Sequence, residues 1–404
     1  MRRISLLSAV LMLLLCLTAC GSHNIVSVQF YDGADVTMAS RWQIYDKSID
    51  RVDYYIINNT GGDLTLDGAC TLLHRTRIGW EKTELQDGDA FSSVNCIVPD
   101  GGTWTSSVSI SGLKKGVYRI VKLSGGIGYY AEFEIGKSDI TASEPYGIAP
   151  LDTLPRDYPA SLAAENGDVV LGSGAAANGE RFDEFLKMVS LGVPDTVRLS
   201  QYTVDGKAVI SDIVYNGCNF TITTDSSRDN FSAEALTGGI YSSIITDGSG
   251  IFLSNCRSYD DARSLVHGLD ENTVSVTYSV ESGWCDAVAE IEQTRIDRGD
   301  PRMTVWLDSD TCCAIGSDGT PGYSDAGYSE LAPLPDDEYD VSAACGIAWI
   351  DKTSFVAAAE NSDDPYFKYI LFVYELTPGA PGEYTRAYSA NGYEVVDGAL
   401  IVGD

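Results

Sequence analysis

The sequence predicts a mainly β chain, with an N-terminal β-sandwich and a larger α+β region built on antiparallel sheet. Three observations carry this. Short runs with alternating apolar side chains recur from Gln29 to about Ile135: Val52, Tyr54 and Ile56 in one, Ala131, Phe133 and Ile135 in another. One helical pattern stands out further on, with Phe182, Phe185, Leu186 and Val189 at i, i+3, i+4 and i+7. Three strand-like runs follow it, separated by Asp205-Gly206 and Asn216-Gly217, which are strong hairpin signals. A helix ahead of an antiparallel meander is an α+β arrangement.

The chain has 404 residues, enough for two or three domains and a sizeable core. Its formal net charge is −31. That argues against nucleic acid as a partner, because such binding needs a basic face to displace counterions.

Residues 1–19 read as an export leader. Arg2 and Arg3 precede an uncharged, mostly apolar run from Ile4 to Ala19, too short for the ~20 residues of a spanning helix. The run ends in Leu17-Thr18-Ala19-Cys20, which resembles the lipobox of bacterial lipoproteins. The resemblance implies cleavage between Ala19 and Cys20 and a diacylglyceryl group on the Cys20 thiol. Two acyl chains, at ~0.8 kcal/mol per buried CH₂, hold a protein on a bilayer where one does not. The other reading is an ordinary leader with an incidental cysteine. Residues 20–28 then form a tether.

Residues 29–136 read as the sandwich. The stretch "NNTGG" from Asn58 punctuates it, and "WTSSVSI" from Trp104 is a further strand. In "LKKGVYRIVKL", Leu113, Gly116 and Tyr118 have the spacing of a tyrosine corner, in which the phenol bonds back to upstream backbone. The segments "YYIINNTGGDLTL", "LKKGVYRIVK" and "YYAEFEI" resemble a bacterial immunoglobulin-like domain of Gram-positive lipoproteins. That implies an Ig-like sandwich and no catalysis. His74, alone in its strand, reads as exposed or hydrogen-bonded rather than as a ligand.

Residues 137–165, with Pro145, Pro150, Pro155 and Pro159, read as a linker. Residues 166–256 carry the helix, with Asn178 as candidate N-cap, and the meander "TVRLSQYTV", "KAVISDIVY" and "CNFTITT". "IYSSIITD" and "IFLSNC" are expected to extend that sheet. Gly172 and Gly174 lack the spacing of a nucleotide-binding loop. The stretches "FDEFLKMVSLGVPDTVRLSQYTVDGKAVISDIVYNG" and "TTDSSRDNF" resemble a lipoprotein domain family of Gram-positive bacteria with no assigned function. That family shows a Gln/Ser-Tyr-Thr-x-Glu-Gly-x-Pro-like stretch. Here it is "QYTVDGKAV", with Asp205 for the acid and Ala208 for the proline. The family brings no catalytic residues.

Residues 257–404 resemble nothing familiar and read as α+β or mainly β. A short helix is expected at Ser258 to Gly268, with His267 in its last turn. "AVAEIEQTRI" and "RMTVWLDSD" flank "DRGDP" as an expected hairpin, and "GIAWIDKTSFVAAA" and "YFKYILFVYEL" as further strands.

Candidate sites are few. There is no G-x-S-x-G, and Ser111 to Lys114 fits S-x-x-K only just ahead of the tyrosine corner. Asp225, Ser227 and Asp229 mimic the start of a calcium loop, but Asn230 and Leu236 stand where Gly and Glu belong. No metal or cofactor is therefore expected. "TTDSSRDNF" reads either as a polar turn or as a surface patch of Asp225, Arg228 and Asp229. Pairing cysteines within their own segments suggests Cys70–Cys96 and Cys218–Cys256 as disulfides. The other reading is that they are buried small hydrophobes.

Together these features describe a lipoprotein held on the outer face of a cell membrane by its Cys20 lipid. Its expected role is non-enzymatic binding of a protein or small-molecule ligand. The rival reading is an exported enzyme with a carboxylate-based site within residues 165–404.

Overall fold

The computed structural model describes residues 28–84, 95–142, 144, 146–172, 176–229, 236–256, 273–277, 282–297, 305–306, 314–315, 344–351, 353–361, 366–376, 383–396 and 399–403. The leader, Cys20, the helix expected at Ser258 and the acidic stretch from Gly316 to Asp340 lie outside these residues. The chain divides into two compact units, Met1–Ile148 and Ala149–Asp404.

In the first unit, alternation along each strand puts one row of apolar side chains inward. A six-stranded sheet runs Gln29–Phe30, Ile127–Gly136, Gly116–Ser124, Thr71–Thr76 and Gly79–Thr83, with Ile44–Asp46 also on Ile127–Gly136. A three-stranded sheet pairs Val36–Ser40, Arg51–Asn58 and Thr103–Ser109. Val52, Ile56 and Val108 of one sheet share a core with Leu72, Ile120, Ala131 and Phe133 of the other. The tyrosine corner is present, and the Tyr118 hydroxyl donates to the Lys114 carbonyl at 2.7 Å. His74 lies against the Tyr118 ring, 4.7 Å between centroids. A Cβ on Gly116 would meet the His74 Nε2 at 2.6 Å, so the corner admits only glycine there.

The second unit is built on a five-stranded sheet ordered Val169–Leu171, Asp195–Tyr202, Ala208–Tyr215, Phe220–Asp225 and Leu236–Tyr241. The first pair is parallel and the rest antiparallel. The Gly179–Ser190 helix lays Phe182, Phe185, Leu186 and Val189 on one face, against Val197, Leu199, Ile213 and Phe220.

Three expectations are corrected in this unit. First, "AVAEIEQTRI" is not a strand but part of the Ser282–Asp297 helix. Ala, Glu and Gln favour helix, and Trp284, Val288 and Ile291 at i, i+4 and i+7 enter the same core as Phe182. Second, Ser243–Thr246 and Ile251–Ser254 leave the five-stranded sheet and pair with Thr273–Thr277 in a sheet of their own. The chain changes sheet at buried Ser242, whose amide donates to the Asn255 side chain. Third, Asn178 stands at the expected N-cap position but makes no side-chain capping bond. It sits at φ 58° and its amide donates to the Ala164 and Asp168 carbonyls, both at 2.9 Å. Both hairpins of the meander form, each with a single left-handed residue. Gly206 and Gly217 take positive φ, while Asp205 and Asn216 do not. Asn216 instead accepts the amides of Cys218 and Asn219 through its side chain.

The C-terminal part contains a four-stranded antiparallel sheet of Ala344–Trp349, Ser354–Glu360, Tyr369–Glu375 and Glu383–Ala390. Asn219 ties it to the meander. Its side chain donates to the Trp349 carbonyl at 2.6 Å and accepts the Trp349 amide at 2.7 Å.

Candidate functional site

Register assembles a polar face on the five-stranded sheet, on the side away from the Gly179–Ser190 and Ser282–Asp297 helices. In "TVRLSQY", Val197 and Leu199 face the core, so Thr196, Arg198 and Ser200 face the other way. Arg198 lies opposite Asp212, and Ser200 opposite Ile210, which in turn lies opposite Asp225. Parallel pairing sets Val170 opposite Ser200, which brings Asp168 to the same place.

Asp168 is almost wholly buried. It accepts the Tyr158 hydroxyl at 2.9 Å and the Ser200 hydroxyl at 2.6 Å. Burial pushes its carboxyl pKa up, against the two hydrogen bonds and the nearby Arg198 charge, which pull it down. Asp212 holds Arg198 in a bidentate pair at 2.6 and 2.7 Å. Burial works against the guanidinium charge, and Asp212 outweighs it and raises the Arg198 pKa. Tyr202, nearby, is pushed up to about 12 by burial. Gly172 comes so close to this strand that a Cβ would meet the Tyr202 carbonyl at 2.5 Å.

This face is covered by the chain from Ala149 to Asp168. That stretch overlaps the expected linker, and it carries the short Leu151–Thr153 and Ala160–Glu165 helices. Arg198, Tyr202 and Arg228 are among the side chains that fasten it. Arg198 donates to the Ala149 carbonyl at 2.6 Å, and Tyr202 to the Tyr158 carbonyl at 2.8 Å. Arg228 donates to the Leu154 and Pro155 carbonyls, both at 3.2 Å.

The stretch "TTDSSRDNF" therefore belongs to this arrangement. Asp225 accepts the Ser227 amide at 2.8 Å and pairs with Arg228. Burial alone would raise the Asp225 pKa, but the Ser227 hydrogen bonds and Arg228 hold it below the usual value. The Asp229 amide donates to the Ser226 carbonyl, closing a turn. Asp225 and Arg228 direct their polar groups at each other, and Arg228 also at the covering segment. Asn230 and Phe231 lie outside the described residues.

Chemically, Asp168, Arg198, Ser200 and Asp212 are matched to one another or to the covering segment, while the buried Thr196 hydroxyl has no partner among the described residues. Ser200 donates to a carboxylate, but it is wholly buried and this unit's one histidine, His267, lies outside the described residues. Among the described residues no three His, Cys, Asp or Glu side chains are grouped to hold a metal. Sequence reasoning passed over Asp168, Arg198, Ser200 and Asp212. The alternation of Thr196, Arg198 and Ser200 with Val197 and Leu199 was the available signal.

The first unit carries a different surface. On the outer face of the six-stranded sheet, the Arg119 guanidinium lies 3.9 Å from the Tyr130 ring centroid, 4.2 Å from Trp80 and 5.3 Å from Phe30. Its Nε also pairs with Glu132 at 2.8 Å. Cys70 and Cys96 pack on the core of this unit, Cys218 and Cys256 each pack on the cluster around Trp349, and none of the four is in a disulfide in this structure.

Sequence comparison matches residues 32–135 to a bacterial Ig-like domain and residues 166–250 to a domain of unknown function, DUF4362. No curated protein sequence matches. Among solved structures, the alkylpurine DNA glycosylase AlkC of Pseudomonas fluorescens is 12% identical, with a TM-score of 0.18, over 26% of this chain and 32% of that one. The sulfur carrier protein SoxY of Chlorobium limicola is 10% identical, with a TM-score of 0.17, over 28% and 86%. The sporulation control protein Spo0M of Bacillus subtilis is 7% identical, with a TM-score of 0.18, over 52% and 91%. The chain thus spans about a third of the first of these, and none of the three bears on its function. It carries an N-terminal bacterial Ig-like domain and a separate DUF4362 domain.

Proposed function

We propose that the chain is a lipoprotein anchored to the outer face of a cell membrane through Cys20, and that it works by binding rather than by catalysis. The observation that carries the anchoring is the sequence Leu17-Thr18-Ala19-Cys20 behind a basic start and a short apolar run. Two features support binding. Asp168 and Arg198 are hydrogen-bonded within a covered face, which suits a framework better than a reaction site. The Arg119 face is rich in the residue types that concentrate at binding surfaces, aromatic rings and arginine. The Ig-like domain then presents that surface, and the partner is a protein or small molecule.

Photo-crosslinking from positions 82 and 132, on either side of Arg119, tests the binding surface in intact cells. A discrete adduct that Trp80→Ala and Tyr130→Ala abolish is expected. Adducts indifferent to both substitutions would remove this face from the proposal. The carboxylate-enzyme reading would need turnover of an exported substrate that depends on an acid within residues 165–404.

A further inference from the structure

The Leu64–Cys70 corner of the first unit brings two cysteines and a buried ammonium together. Leu66 lies opposite Cys96 in the Leu64–Leu66/Cys96–Val98 pair. The next amide, of Asp67, donates to the Leu123 carbonyl at 2.8 Å, which fixes the corner onto the Gly116–Ser124 strand. The Thr71–Thr76 strand then starts with Thr71 opposite Val121, so Cys70 arrives beside Lys122. Lys122 is 2% exposed. Its ammonium donates to the Gly68 carbonyl at 2.8 Å and lies 5.0 Å from the Trp104 ring centroid. Cys70, Cys96 and Trp104 all pack, half-buried, against the same core. Burial lowers the Lys122 pKa, and the charges that raise it back come first from Cys70 and Cys96. The two sulfurs are not joined in this structure, and register places both residues at this corner.

We propose that Cys70 and Cys96 form a disulfide across this corner, made by exchange with a disulfide-bearing thiol oxidant. One cysteine, as its thiolate, attacks a sulfur of the oxidant's disulfide and forms a mixed disulfide, and one oxidant sulfur leaves as thiolate. The second cysteine gives up its proton and attacks the protein-side sulfur, which releases the oxidant's other sulfur. Two electrons pass to the oxidant, which ends as a dithiol, and the two thiol protons pass to solvent or to the departing thiolates. The Lys122 ammonium favours the thiolate that each attack needs. The link closes the chain between the two sheets at a place where strands are short. It depends on this geometry alone and not on the membrane anchor.

The purified full-length chain, held folded in a buffer of oxidised and reduced glutathione, is treated with N-ethylmaleimide, digested and weighed by mass spectrometry. The expected result is a peptide pair joined at Cys70 and Cys96, lighter by two hydrogens, with both sulfurs taking maleimide only after reduction. Maleimide on both residues without reduction overturns the proposal. So does stable glutathione on either, or a link from either to another cysteine.

Discussion

At the scale of single residues, buried amides and carboxyls decide where the chain has no freedom. Asn58 is wholly buried and uses its side chain fully. It donates to the Gly62 and Val98 carbonyls and accepts the Thr60 amide and hydroxyl. Asn219 does similar work between two sheets. Asn219→Ala leaves the Trp349 amide and carbonyl without partners, at ~1–3 kcal/mol for each buried group. Urea denaturation should show the loss, and a change below about 0.5 kcal/mol, the range of ordinary surface substitutions, would contradict this role. Asp168 makes a prediction in pH. Its folded pKa is raised, so over a window above the ordinary carboxylate value the folded state keeps a proton that the unfolded chain has lost. That proton's stabilisation is complete below the ordinary value and disappears as pH rises through the raised one. Melting curves of Asp168→Asn should lack this part of the pH dependence, and a curve parallel to that of the native chain would contradict it. Asp225, with its lowered pKa, has the opposite sign, and its contribution is lost as pH falls through that lowered value.

At the scale of elements, periodicity was legible where one pattern dominated. The Phe182 helix, the Tyr118 corner and the strands around Ile213 could all be read from spacing. The Ser282–Asp297 helix could not, because "DRGDP" beside it resembles a hairpin turn and its apolar stripe is thin. Its anchor is Trp284, edge-on to Phe182 at 4.7 Å between centroids, with its indole N–H on Asp183 at 2.9 Å. Trp284→Ala should cost ~3–5 kcal/mol in equilibrium unfolding. A cost under about 1 kcal/mol would mean that the helix is not docked this way. The prolines between Ala149 and Pro159 looked like linker because composition does not reveal long-range hydrogen bonds from Arg198, Tyr202 and Arg228. Those bonds make a test. Arg228→Met removes the hold on Leu154 and Pro155, so trypsin should cut at exposed Arg156 several-fold faster. Unchanged cleavage would show that Arg228 does not fasten the segment.

At the scale of the whole molecule, fold class could be read from the sequence and the polar site could not. Alternation and turn signals are local, whereas the meeting of Asp168, Ser200, Arg198 and Asp212 depends on strand register. The stretch "TTDSSRDNF" could be placed at a strand end. That Arg228 reaches across to the segment near Pro155, far away in sequence, is a property of the assembled unit. The proposed lipid anchor on Cys20 sets the compartment in which binding would act. It is tested most directly by fractionating cells that express the native chain or Cys20→Ser and weighing the mature N-terminal peptide. The native chain is expected to sediment with membranes and to begin at a diacylglyceryl-modified Cys20, and Cys20→Ser to carry no lipid and to leave the membrane fraction. A native chain with an unmodified Cys20, or a variant that stays on the membrane at unchanged mass, would contradict it.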